Sequence, residues 1–342
     1  MVQKSVRIQD VARAAGVSTA TVSRALSNPD LLAEATRTAV FDAIRETGYR
    51  VNQAARNLRK QRAGAILVLV PDLSNPFFSR ILAGISQALE GSDYAVLITD
   101  TSVRDPAEGS LADFILDARV DGIISLDGGL PASELAQFTA RNLSDRIVFA
   151  CEWVHGAPFP SIRSDNEGGA RLAIGHLAEL GHQRIAHVTG PKGNVLTRMR
   201  REGMQEERAR LGLPARDEWI IRGDFSMRSG QEAAQRILAM EDRPSAVFCA
   251  SDMVAFGLIS TLVAAGLSVP GDMSVIGFDD IEMSHYYIPA LTTIRQDRHK
   301  LGTRAASMLL ARLEQPLAVP DEPVETIGVE LILRASTGPL PG

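Results

Sequence analysis

Two groups of residues could do chemistry, and they call for different partners. The first lies in residues 18–28, where Thr19, Ala20, Ser23, Arg24 and Ser27 fall on one side of a short helix. Small polar side chains allow close approach to a surface. One guanidinium can make a bidentate contact to guanine in a major groove. The second group is a set of acids, Asp100, Asp127, Asp252 and Asp279, each following an apolar run. Phe77 and Phe78 accompany them after another such run. Carboxylates accept hydrogen bonds from hydroxyl groups, and aromatic rings cover a flat face, so the set suits a polyhydroxylated ligand. Any single acid of this kind is equally readable as a helix cap.

Other chemistries lack their signatures. The chain has no G-x-x-x-x-G-K-[ST] phosphate loop and no G-x-G-x-x-G fingerprint. Its six histidines show no H-E-x-x-H spacing, so neither a metal site nor a cofactor is expected. Cys151 and Cys249 end separate apolar runs far apart in sequence and read as buried thiols. No catalytic residue is assigned, although the neighbours Asp279 and Asp280 imitate a paired-carboxylate site.

The first group needs a helical scaffold. Ile8, Val11, Ala12 and Ala15 repeat as one buried helical face, and Gly16 can stop that helix. Ser18 can cap a second helix with Val22, Ala25 and Leu26 inward, ended by Asn28-Pro29. A third helix is expected over Glu34–Thr47, with Val40, Phe41 and Ile44 inward and Gly48 as its stop. Two short helices joined at a glycine and braced by a third make a helix-turn-helix. Charge agrees: residues 1–62 hold 11 Lys/Arg against 5 acids, whereas the rest holds 25 against 36. A basic head on an acidic body points the head toward a polyanion.

The second group needs sheets. Apolar runs at 65–70, 94–99, 122–126, 146–150, 184–189, 246–250 and 274–277 alternate with amphipathic stretches. That pattern marks parallel strands covered on both faces, too many for one small lobe. Asp165 can cap a helix whose inner side is Leu172, Ala173, His176, Leu177 and Leu180. In two Rossmann-like lobes a ligand sits beyond the carboxyl ends of the strands. No apolar stretch is long enough to span a membrane and no secretory h-region opens the chain, so a cytoplasmic protein is expected.

The string IQDVARAAGVSTATVSRALSNPD resembles the N-terminal signature of the LacI/GalR family. ILVLVPDLSNPFF, SDNEGGARLAIGHLAELGHQRIAHVTGP, AVFCASDMVAFG, VPGDMSVIGFDDIE and PALTTIRQ resemble its periplasmic-binding-protein-like (type I) core. NPDLLAEATR, RGDFSMRSG and ELILRASTGPLP bring the similarity nearest to the nucleoside-sensing, cytidine-repressor branch. The fold implied is an all-α helix-turn-helix head plus an α/β core of two Rossmann-like lobes.

The resemblance also implies roles. Thr19, Ala20 and Arg24 reach base edges, while Ser18, Thr21, Ser23 and Asn28 meet phosphates or set the approach. Asn52 caps a hinge helix whose Leu58 wedges into the minor groove, backed by Arg59. A flexible linker touching only phosphates is the competing reading there, because the family's usual proline is Val51 here. Arg7 and Ala33 stand where the family often has helix-capping Ser or Thr. In the effector pocket Phe77 and Phe225 are walls, with Phe78 beside the first. Arg200 is the cationic anchor, Asp279 and Asp252 hold hydroxyls, and Asp165 lies at a crossover. Asn194 and Leu196 replace the polar or basic residues of purine-responsive relatives, which favours a nucleoside or pentose over a free purine base.

The domains expected are a head (1–50), a hinge (51–62) and a two-lobed core (63–338). One lobe takes 63–162 plus 292–321, the other 163–291 plus 322–338, and 339–342 form a tail. A homodimer on near-palindromic double-stranded operator DNA is expected, with a nucleoside or sugar as effector. Other readings are a pentose- or hexose-responsive regulator, a solute-binding protein with no regulatory role, a nucleoside-processing enzyme and a non-specific DNA-coating protein. The basic head and the absence of enzyme signatures weigh against the last three.

Overall fold

The computed structural model describes residues 6–50, 57, 62–104, 109–314 and 324–340. It divides into two units, Met1–Ala63 and Gly64–Gly342. Asn52, Leu58 and Arg59 of the expected hinge lie outside the described residues.

In the first unit the periodic apolar positions produce three helices, α1 (Ile8–Ala15), α2 (Thr19–Ser27) and α3 (Glu34–Thr47). Gly16 and Gly48 stop α1 and α3 in the left-handed conformation, at φ 65° and 68°. Val11, Ala12, Val22, Ala25, Val40 and Ala43 form the small core. Phe41, expected inward, is 37% exposed, and Ala43 takes its place. Ala43 lies three residues beyond Val40 and so on its face, whereas Phe41 is turned about 100° away. Arg7 offers no side-chain cap, but its backbone N–H donates to the Asp10 carboxylate at 3.0 Å. Ala33 offers none either.

The second unit holds two six-stranded sheets. The first contains β1 (Ala65–Val70), β2 (Ala95–Asp100), β3 (Gly122–Ser125), β4 (Ile147–Ala150), β5 (Ser161–Ser164) and β11 (Val324–Ile327). Its order is β11-β5-β4-β3-β1-β2. The second contains β6 (Ile185–Val188), β7 (Ile220–Ile221), β8 (Ala246–Cys249), β9 (Ser274–Asp279), β10 (Thr292–Gln296) and β12 (Val329–Ile332). Its order is β12-β10-β9-β8-β6-β7. Neighbours run parallel except β10 and β12. All six residues of β1 are buried, as a run covered on both faces requires. The apolar part of β2 lies at the sheet edge and leaves Leu97 46% and Ile98 47% exposed.

The chain passes between the sheets three times: after β5, after β10, and between β11 and β12. The expected division at 292 and 322 is therefore shifted. Thr292–Gln296 pairs with β9 in the second sheet, and Val324–Ile327 pairs with β5 in the first. The second passage falls at Asp297, whose carboxylate accepts the Lys300 N–H at 2.9 Å and opens the helix Arg298–Glu314. Leu172, expected inward on the helix Asn166–Glu179, is exposed, and Ile174 is buried with Ala173 and Leu177. The expected tail is tied down as far as Leu340, whose N–H donates to the Leu180 carbonyl at 2.9 Å.

Helix Arg298–Glu314 packs tightly on the helix Phe77–Ala88 through two glycines. A Cβ on Gly302 would lie 2.1 Å from the Ile81 carbonyl oxygen, and one on Gly84 2.2 Å from that of His299. Both contacts are with backbone, which cannot step aside without moving a helix. Gly302→Ala is expected to destabilise the core by ~1–3 kcal/mol, read from the urea midpoint at unchanged slope.

Candidate functional site

The head presents the first chemical group as a surface. Ser18 accepts the Thr21 N–H at 3.1 Å and so fixes the start of α2. Thr19, Ala20, Arg24 and Asn28 are exposed along that helix, with Thr21 and Ser23 half-buried at its flank. Arg13 sits 3.6 Å from Asp10 and Arg37 3.5 Å from Asp30, but the Arg24 side chain meets no acid among the described residues. An unpaired guanidinium between short side chains is free to meet an outside acceptor.

In the core, the carboxyl ends of the two sets of strands meet around Arg200. This residue, on the helix Val195–Arg210, is 1% exposed. Its Nε donates to Asn166 Oδ1 at 2.9 Å and its Nη1 to the Ala250 carbonyl. The guanidinium lies 3.8 Å over the Phe278 ring and 5.8 Å from the Phe225 centroid. Its Nη2 is 3.7 Å from Asp279 Oδ1 and makes no hydrogen bond. Asp279 Oδ1 accepts from Gln296 Nε2 at 2.8 Å, and Gln296 Oε1 is itself buried without a partner. One donor and one acceptor, both sealed from solvent, thus flank the same carboxylate.

The other predicted residues distribute unequally about this centre. Asp252 is buried beside it, but the Ile281 N–H, Ser284 and Thr293 already donate to its oxygens. Burial raises both Asp252 and Asp279 above the ordinary carboxylate range, against the lowering effect of Arg200 on Asp279. Phe77 and Phe78 are buried edge-to-face, with ring centroids 5.1 Å apart. Asp165 accepts the Gly168 N–H at 2.8 Å as a helix cap, and it is the next residue, Asn166, that touches Arg200. Asp100 and Asp127 secure loops of the first lobe, accepting from Leu73 N–H and Thr101 Oγ1 respectively. Cys151 and Cys249 are free and buried, and burial pushes both thiols up.

Three contributors escaped sequence reading. Glu152, two residues past β4, accepts from Gly128 N–H at 3.1 Å and from Asn194 Nδ2 at 2.9 Å, so it joins the two lobes. It obeys the acid-after-strand rule that singled out the four aspartates. Arg298 donates to the Phe77 carbonyl at 3.3 Å and to that of Asp280 at 2.9 Å, also across the lobes. Asn166 is the third. Backbone strain gathers here too: Cys151, Phe225, Asp279 and Asp280 all have positive φ, between 52° and 123°. Such conformations persist where packing over-determines them, which is common at ligand sites.

Comparison with known proteins gives the following. Residues 7–52 match the family described as bacterial regulatory proteins, lacI family, and residues 174–337 match the periplasmic binding protein-like domain. The chain is 38% identical over 334 residues to the HTH-type transcriptional repressor CytR of Escherichia coli K12, covering 98% of this chain and 97% of that one. It is 34% identical over 330 residues to the HTH-type transcriptional repressor PurR of Photobacterium profundum, covering 96% and 98%. Among solved structures it resembles the lac repressor dimer bound to operator and the anti-inducer ONPF, with TM-score 0.84, 32% identity and coverage of 98% and 100%. It also resembles a LacI family regulator from Enterococcus faecium with bound ribose, with TM-score 0.72, 30% identity and coverage of 81% and 100%.

Glu152 carries a pH signature. Burial lifts its carboxyl from 4.5 to about 7, and the Asn194 and Gly128 hydrogen bonds only partly oppose this. Between those values the folded chain binds more protons than the unfolded one, so stability falls as pH rises through that window. Glu152→Gln removes the titration. Its stability relative to the parent should rise by on the order of 2 kcal/mol from pH 4.5 to 7.5, measured by chemical denaturation. A difference flat across that range would show that Glu152 titrates normally.

Proposed function

The chain belongs to the lacI family of bacterial regulatory proteins, and from that premise we propose that it is a transcription repressor whose grip on DNA is released by a nucleoside. It binds double-stranded, near-palindromic operator DNA as a homodimer, reading sequence through the exposed face of α2. The exposed apolar edge of β2 supplies a face suited to a second copy. Its place of work is the cytoplasm, and no helix among the described residues is long and apolar enough to cross a membrane.

The observation that carries the effector reading is the pair of buried, unpartnered atoms, Arg200 Nη2 and Gln296 Oε1, on two side chains that both approach Asp279 Oδ1. Native interiors rarely leave polar atoms unsatisfied, and a ligand offering both donors and acceptors answers both. A nucleoside has such groups on its ribose and its base, and Phe77 and Phe225 give the base apolar walls. A free pentose is the second reading, favoured by the ribose in the Enterococcus faecium relative. The effector acts through differential affinity: it binds one lobe arrangement better, and that preference alone sets the size of the DNA response.

Arg24→Ala should weaken operator binding by about 1–3 kcal/mol and relax sequence preference at one position of each half-site. Fluorescence anisotropy on operator DNA measures both. Arg200→Met should lose the response of operator binding to nucleosides, with the variant's melting temperature reporting separately on folding. If neither nucleosides nor pentoses alter operator binding by the parent chain, the effector class is wrong.

A further inference from the structure

We propose that a cationic pocket at the lip of the interlobe cleft binds a phosphoryl group, free or carried on a small sugar-like molecule. The pocket is a cavity of about 550 Å³. Gly128, Trp153 and His155 of the first lobe form one wall, and the second lobe forms the rest. Lys192, Arg198, Arg201, Arg222 and Arg236 line it, and no Asp or Glu does.

These five cations come from four separate places in the chain. Lys192 lies in the loop after β6, and Arg222 follows β7. Arg198 and Arg201 sit one turn apart on the helix Val195–Arg210, and Arg236 is on the helix Met227–Leu238. Residues 63–342 carry 36 acids against 25 bases, so five convergent bases, of which only Arg198 has an acid within 4.0 Å, run against the charge of the body. Like charges repel, and the arrangement is unfavourable unless an anion joins it.

Pairing separates these residues from other arginines of the same lobe. Arg171, Arg210, Arg216 and Arg228 each lie against an acid. Lys192, Arg201, Arg222 and Arg236 have no ion pair or side-chain hydrogen bond among the described residues. Arg198 reaches His155 Nδ1 at 2.7 Å and Glu202 at 3.9 Å.

A second observation concerns hydrogen bonding. Thr197 Oγ1 and Arg198 Nε are buried and lack hydrogen-bond partners, Nε lying 3.9 Å from Glu202 Oε1, and both residues line this cavity. A hydroxyl and a guanidinium N–H awaiting an acceptor, ringed by further guanidinium forks, match the oxygens of a phosphate. A carboxylate ligand offers fewer oxygens and less charge to the same donors.

The pocket opens beside the cleft. Asn194 lines it while donating to Glu152. A phosphomonoester therefore fits with its body in the cleft and its phosphate among the arginines. This second half of the inference rests on the cleft being the effector site; the phosphoryl pocket itself does not.

Calorimetric titration of the full chain at low ionic strength tests both halves, using pyrophosphate, cytidine and cytidine 5′-monophosphate. Pyrophosphate should bind the parent chain and weaken steeply with added salt. The monophosphate should bind roughly tenfold or more tighter than cytidine, from charge-assisted contacts. In Arg222→Gln/Arg236→Gln, pyrophosphate binding should be lost and the gap between the two nucleosides should close to less than about twofold. The unliganded melting temperature of that variant reports separately on folding. Pyrophosphate binding without any cytidine binding would retain the pocket and sink the cleft reading. Cytidine binding without pyrophosphate binding, or a monophosphate preference that survives the double substitution, overturns the pocket.

Discussion

Arg200 is removed from water, and much of the second lobe is arranged around that fact. A buried guanidinium costs several kcal/mol unless its donors are met and its charge is balanced. Here the compensation comes from four directions. Asn166 opens a helix, the Ala250 carbonyl directly follows β8, Asp279 ends β9, and the Phe278 ring lies beneath the cation. One side chain thereby fixes the relative positions of two strand ends and two helices. The positive φ values of Asp279 and Phe225 are tolerable in that setting, because the packing that holds them also balances the charge. Balance is nearly but not wholly complete, and the remaining donor faces the place where a ligand is proposed to bind.

The two sheets repeat one strand order and exchange their last strands, so three chain passages lie between them. The Asp165 N–H donates to the Ile327 carbonyl at 2.9 Å, tying the first passage to the third. Few other polar links join the lobes near the site. Glu152 to Asn194 is one, and Arg298 to the Asp280 carbonyl is another. These are short-range bonds between bodies with separate sheets, so they depend on the angle between the lobes. A ligand that bridges the same surfaces acts on that angle directly, which is how a molecule of modest size could bias a much larger protein–DNA interface.

Local information determined much of this protein. The helix-turn-helix was legible from the spacing of Val11, Ala12, Val22 and Ala25, a glycine at 16 and a serine at 18, all within one short segment. The apolar runs of β1, β3, β4, β6, β8 and β9 were legible for the same reason, as was the cap at Asp165. Tertiary structure decided what such patterns leave open. The runs of β1 and β2 look alike, but only one is covered on both sides, because strand order is set by distant partners. Thr292–Gln296 is too short and too rich in threonine to announce which sheet it joins. Asp100, Asp127, Asp252 and Asp279 follow strands in the same way, yet the first two secure loops, the third is held by the protein's own donors, and only Asp279 faces Arg200. Which acid meets which base depends on chain segments many tens of residues apart being brought within hydrogen-bonding distance. No periodicity of one segment encodes that encounter.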